Sequence, residues 1–188
     1  MEAILSKEVI VNKPVCRVIA VAVLVFLTAL GGFVRIPLPF TPVPLTLQTF
    51  FVLLSAALLG RRLGSAAQLI YVSLGVLGVP LFSLAGSGLL YLAGPTGGYL
   101  AGFVLATFFV GSLLKYANNR FLSCFTLFCL ADALILACGL FWLRILLGYP
   151  LKKLMLIGVV PFIPGDLLKA CLVTLIYLKT RPRLKEIF

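Results

Sequence analysis

The chain contains no histidine. That removes imidazole as a metal ligand, proton shuttle or general base near neutral pH. Acids are scarce as well: five Asp+Glu stand against sixteen Lys+Arg, a formal charge of +11. Charged residues of both signs reach only 11% of the 188 positions, against 62% hydrophobic residues. Mean hydropathy is +1.20. Soluble domains run nearer about half apolar and a quarter charged, so an ordinary soluble domain is excluded, as is a disordered chain. The sequence has no G-x-x-x-x-G-K-[ST] phosphate loop, so any ATP-driven work needs another subunit to hydrolyse the nucleotide. Its five cysteines (Cys16, Cys124, Cys129, Cys138 and Cys171) lie in apolar runs, and none forms a C-x-x-C pair. They read as small hydrophobes, with no disulfide framework and no zinc site. Neither a metal nor a cofactor is expected.

What is present is long apolar sequence. At roughly 20 residues per membrane span, this length allows at most about six or seven spans and leaves no room for a soluble catalytic domain. The first apolar run, 15–34, resembles a signal-peptide core behind basic residues. A secreted chain would then turn polar, and this one stays apolar to Leu178. Further spans are expected at 45–59, 65–79, 97–114, 121–147 and 154–178. The breakers between them are Pro37, Pro39, Pro42 and Pro44, then Gly60-Arg61-Arg62, a Gly/Ser-rich stretch at 80–95, and Gly148-Tyr149-Pro150. Pro161 and Pro164 interrupt the last span, whose regular helix is expected to start near Pro164. The predicted fold is all-α: six transmembrane helices in one membrane domain over 1–188, with an N-terminal arm at 1–14 and a basic tail at 179–188.

The charges orient this topology. Eleven basic residues fall on the inner side: Lys7, Lys13, Arg17, Arg61, Arg62, Lys115, Arg120, Lys179, Arg181, Arg183 and Lys185. Four fall outside: Arg35, Arg144, Lys152 and Lys153. Positive charge gathers at cytoplasmic helix ends, which puts both termini in the cytoplasm of a multi-pass protein of the cell membrane. The same rule accounts for the +11 without nucleic-acid binding.

All three irregular polar segments then face outward: the Pro/Thr loop (35–48), the Gly-rich loop (80–99) and the region from Pro161 to Lys169. Non-helical backbone at membrane depth is tolerated where protein buries it or where it lines a cavity, so an outward-facing ligand pocket capped by the first and third loops is expected. Ionisable residues within spans are functional candidates by default, and away from the span ends there are three: Asp132, Asp166 and Lys169. Asp166 and Lys169 stand i,i+3 on one helix face. They are either a neutralising ion pair or an acceptor and a cation aimed at a polar, anionic ligand. Asp132 either lines the pocket floor or bonds a neighbouring helix or partner. Thr46 and Gln48 open the second span and either cap it or face the ligand. Ser83, Ser87 and Tyr91 are the polar side chains of the Gly-rich loop. Gly97 and Gly98, between Tyr91 and Tyr99, serve a tight turn or a close approach to ligand. Trp142 sits near the outer end of span five, as a belt residue or as pocket wall.

Three motifs then stand out in order. They are Phe40-Thr41-Pro42-Val43-Pro44-Leu45-Thr46-Leu47-Gln48-Thr49-Phe50, Gly94-Pro95-Thr96-Gly97-Gly98-Tyr99, and Pro161-Phe162-Ile163-Pro164-Gly165-Asp166-Leu167-Leu168-Lys169-Ala170. Together they resemble the BioY family, the biotin-binding S components of energy-coupling-factor (ECF) transporters, in register from about Val15 to Leu178. The resemblance implies a biotin site near the outer surface, covered by the loops matching 35–44 and 80–95. It implies that Asp166 and Lys169 carry that site. It also implies vitamin uptake energised by a membrane coupling subunit and a pair of cytoplasmic ATPases, and no enzymatic activity. Self-association is a further expectation. In that family the first helix docks its membrane partner through an Ala-x-x-x-Ala pattern. Here Thr28 and Gly32 are the nearest small-x-x-x-small pair.

Two rivals set the tests. One is a solo biotin facilitator that works without partners. The other is an intramembrane aspartyl hydrolase with Asp132 and Asp166 as a dyad. Lys169, one turn from Asp166, favours the ionised carboxylate there and opposes a shared-proton dyad.

Overall fold

The first apolar run folds as α1 (Lys13–Phe33), which turns Leu24, Val25, Thr28, Ala29, Gly31 and Gly32 inward. Its other face leaves Val18, Phe26 and Phe33 exposed, as a lipid-facing helix does. The computed structural model describes residues 13–118 and 120–187, with side chains as far as 182. Most of the expected arm thus lies outside the described residues, and its last two positions, 13 and 14, belong to α1. Thr28 and Gly32 are corrected as a docking pattern. Thr28 is fully buried and accepts the Gln68 amide at 3.3 Å. A Cβ on Gly32 would stand 3.0 Å from the Gln48 amide nitrogen. Both residues pack α1 onto its own neighbour.

The proline loop is closed by a two-stranded antiparallel ribbon, β1 (Arg35–Ile36) against β2 (Leu45–Thr46), with Arg35 opposite Thr46. The second span therefore does not start at residue 45. Its first two residues pair as strand, and the helix α2 begins at Gln48.

Helix α2 (Gln48–Val76) is continuous in hydrogen bonding except at Gly60, where φ is 70° and ψ −168°. Only glycine takes that conformation without a Cβ clash. The chain reverses there. Gln48 reaches Tyr71, and Gln68 donates to Ser55 at 3.1 Å. A Cβ on Gly64 would sit 2.9 Å from the Ser55 carbonyl. Arms of about 18 and 24 Å joined at one residue make such contacts only when antiparallel. The break expected at Gly60-Arg61-Arg62 thus shrinks to one residue. Both arginines are helical, and the second arm ends at Val76 instead of 79.

After a 3₁₀ turn (Ser83–Ala85) and a short α3 (Leu89–Leu92), α4 runs Gly97–Leu113 and α5 runs Phe121–Leu147. The last expected span divides into α6 (Leu151–Gly158) and α7 (Ile163–Ile187), bent by 51°. Pro164 lies in the first turn of α7, where its missing N–H costs nothing. The expected basic tail at 179–188 is helical as far as Ile187, because α7 continues through Pro182. Arg, Leu, Lys and Glu are strong helix formers and extend it past the apolar stretch.

Among the described residues, four helical runs are long and apolar enough to cross a bilayer by length and composition: α1, α2 with its two arms counted together, α4 with its 3₁₀ extension to Tyr116, and α5. The bent α6–α7 pair is a fifth candidate. Helix α2 packs on α1, α4 and α7, and α5 packs on α4, α6 and α7. The core runs between them through Leu53, Tyr71, Phe128, Ile135 and Leu143, all fully buried.

Candidate functional site

At one end of the bundle, the start of α2, the start of α4 and the start of α7 surround a narrow cavity of about 50 Å³. Val43, Pro44 and Thr46 come to it from the proline loop, and Phe82, Ser83, Tyr91 and Thr96 from the Gly-rich loop. Tyr99, Leu100, Phe103, Ile135, Leu136 and Phe162 form the apolar wall.

The polar wall is one connected group. Asp166, in the first turn of α7, and Lys169, one turn on, form an ion pair with Nζ 2.9 Å from Oδ1. Lys169 also donates to the Thr46 carbonyl and to the Thr49 hydroxyl, each at 2.7 Å. Thr49 in turn donates to Asp166 Oδ1 at 3.4 Å. All three ammonium hydrogens are thus accounted for within the protein. An unpaired charge at this burial would be costly, and this network is what makes 8% exposure of a lysine tolerable. It also ties α7 to the start of α2.

Gln48 anchors the second polar strip. Its amide nitrogen donates to the Tyr71 hydroxyl, and its oxygen accepts from Thr46 at 3.3 Å. Tyr71 donates onward to the Leu81 carbonyl at 3.2 Å, which pins the Gly-rich loop. Phe82 follows, fully buried between Tyr71 (ring centroids 5.7 Å) and Tyr91 (stacked, 5.0 Å). Burial pushes the Tyr91 phenol above its ordinary pKa, so it is a neutral donor at physiological pH. Replacing Tyr71 with phenylalanine would leave the Gln48 amide and the Leu81 carbonyl without this partner. A stability loss of about 1–3 kcal/mol is expected, read as a lowered melting temperature of the ligand-free protein.

The residues expected at the site divide into groups. Asp166, Lys169, Thr46, Gln48, Ser83, Tyr91 and Tyr99 all line the cavity. Gly97, Gly98, Ser87 and Trp142 do not. A Cβ on Gly98 would stand 2.3 Å from Trp142 Cβ, so this glycine serves helix contact. Trp142 donates its indole N–H to the Gly94 carbonyl at 2.8 Å and fastens the loop before α4. Asp132 lines an adjoining cavity together with Asp166, Cys129 and Leu136. Its Oδ1 is buried and has no hydrogen-bond partner among the described residues.

The sequence reading named Tyr91 and Tyr99 but not Thr49, Tyr71, Phe82, Phe103 or Phe162 as site residues. Thr49 had a signal, three residues after Thr46 at a helix start. Tyr71, Phe82, Phe103 and Phe162 had none, because apolar residues in apolar runs look alike until packed.

A model of the BioY family matches residues 6–186. The chain belongs to the BioY family. Among its relatives, the probable biotin transporter BioY of Pyrococcus horikoshii is 39% identical over 156 residues, covering 83% of this chain and 90% of the relative. The biotin transporter BioY of Thermotoga maritima is 38% identical over 165 residues, covering 88% and 95%. The crystal structure of the S component for biotin from an ECF-type ABC transporter superposes with a TM-score of 0.84. It is 27% identical and covers 91% of this BioY chain and 93% of its own. These relatives are transport proteins and not enzymes.

Proposed function

We propose that this BioY-family chain is the biotin-binding membrane subunit of a vitamin uptake system. The observation that carries the reading is the buried Asp166–Lys169 pair set in the wall of a largely apolar, aromatic cavity. Biotin offers that site three complementary parts. Its ureido N–H groups suit the Asp166 carboxylate. Its valerate carboxylate suits Lys169, exchanging for one of the three acceptors that Lys169 now holds. Its bicyclic thioether suits the wall of Phe82, Tyr91, Tyr99 and Phe162. The reverse pairing, or both groups on one end of biotin, uses the same two residues.

The chain crosses the membrane six times in this reading: α1, the two arms of α2, α4, α5 and the α6–α7 pair. The excess of basic residues at one end puts both termini in the cytoplasm and the cavity on the outer face of the cell membrane. Residues 35–44 and 80–95 then cap the ligand. With no phosphate loop in its sequence, the protein draws energy from a membrane coupling subunit and an ATPase pair, as the ECF relationship supports.

Equilibrium binding of labelled biotin to the purified protein tests the assignment, with dethiobiotin and lipoate as competitors. Saturable binding at micromolar biotin or below is expected. Its absence sinks the reading. Uptake in cells that lack the coupling proteins distinguishes a dependent subunit from a solo facilitator, and uptake is expected to require them.

A further inference from the structure

The opposite end of the bundle holds a larger, open cleft of about 420 Å³. It opens where the first arm of α2 turns at Gly60, where α4 ends and where α7 leaves its apolar stretch. Its floor is tight: a Cβ on Gly111 would stand 2.6 Å from the Arg61 backbone nitrogen, so α4 is pressed against the turn. The walls are apolar, from Ala57, Leu58, Leu59 and Leu114. The rim is cationic. Lys115 and Arg181 both line the cavity, and no acidic residue does so among the described residues. Each cation lies over an aromatic ring: Lys115 Nζ is 4.6 Å from the Tyr116 centroid, and the Arg181 guanidinium is 5.6 Å from that of Tyr177.

An apolar cleft with two cations at its mouth has the pattern of a phospholipid. The acyl chain occupies the cleft, and the phosphate sits at the level where the helices end. A free inorganic anion satisfies the rim and leaves the apolar walls unused. A helix from a protein partner fills the walls, yet the rim demands that it carry acid at that depth. We infer that this cleft is a binding site for one anionic phospholipid, with Lys115 and Arg181 holding the phosphate. The site lies at the other end of the molecule from the biotin cavity and depends only on the chain being membrane-embedded.

Lipid binding is measured on the full chain in neutral detergent by native mass spectrometry and thermal shift, with phosphatidylglycerol, phosphatidylcholine or inorganic phosphate added. One phosphatidylglycerol is expected to stay bound and to raise the melting temperature, with phosphatidylcholine and inorganic phosphate giving less. The double variant Lys115→Gln with Arg181→Gln is expected to bind phosphatidylglycerol about 30-fold more weakly, because neither cation then faces the phosphate. Its unchanged melting temperature in phosphatidylcholine shows that the fold is intact. A single variant, Arg181→Gln, gives an intermediate loss. Three results overturn the inference: equal retention of the two lipids, a full shift from inorganic phosphate alone, or undiminished phosphatidylglycerol binding in a folded double variant. A cleft that takes a protein helix instead would give the first of these.

Discussion

Replacing Lys169 with alanine is expected to lower biotin affinity by about 100-fold or more. Among the described residues, Lys169 is the one cation lining the cavity, and its Nζ stands 2.9 Å from Asp166 and 2.7 Å from both Thr46 and Thr49. Its loss removes the partner of the ligand carboxylate. It also strands the buried Asp166, which costs about 3–5 kcal/mol of stability when one member of such a pair is deleted. Binding and folding therefore have to be read apart. Isothermal titration gives the first, and the melting temperature of ligand-free protein gives the second. The double variant Asp166→Asn with Lys169→Met removes both charges together, so stability should largely recover while biotin binding stays lost. Binding like the parent protein in Lys169→Ala and in Asp166→Asn would overturn the site assignment. Asp132→Asn separates the remaining rival. A hydrolase that used Asp132 and Asp166 as a dyad would lose its activity outright. A transport subunit should keep biotin binding within about tenfold, because Asp132 lines the adjoining cavity and not the one proposed for biotin.

Gly98→Val should have a large effect on the fold. A Cβ at position 98 would stand 2.3 Å from Trp142 Cβ and 2.5 Å from the Cys138 carbonyl. The second of these neighbours is backbone, so no rotamer change relieves the clash. Helices α4 and α5 have to move apart along the seam that also carries Tyr99 and the Trp142–Gly94 hydrogen bond. A loss of about 3 kcal/mol or more is expected, at the upper end for overpacking. It would appear as a collapse of folded yield and a lower melting temperature in detergent. Gly148→Ala is the contrast. No atom lies within 4 Å of its Cβ position, yet φ is +64°, so strain alone acts there and the loss should be nearer 1 kcal/mol. If Gly98→Val melted like Gly148→Ala, the close packing of α4 on α5 would be disproved.

Much of this molecule could be read from its residues. The span at 121–147 coincides with α5, since a 27-residue apolar run bounded by Arg120 and Gly148 has one solution in lipid. The Asp166–Lys169 pair was legible because two charges inside an apolar run, one turn apart, have few other reasons to be there. Segments near breakers were read less well. Residues 45 and 46 looked like helix and pair as strand, because the partner strand at 35–36 lies across four prolines and no local signal names it. The apolar span ends at Leu178 because hydropathy falls there, but helix formation follows propensity as well as burial, and α7 continues to Ile187.

The sequence by itself determined that this chain lives in a membrane, which end is basic, and which two charges stand on one helix face. These follow from composition and local spacing, where each residue's contribution is independent of distant partners. Only the tertiary structure decided which polar groups meet. Thr49 closes the Lys169 network across 120 positions of chain. Tyr71 satisfies Gln48 because α2 doubles back at Gly60. Gly98 lets α4 approach α5, Gly97 closes the tight turn behind Leu92, and Trp142 fastens that loop, instead of lining the cavity. Buried polar atoms must find partners wherever the fold brings them, and that choice is made by packing between helices.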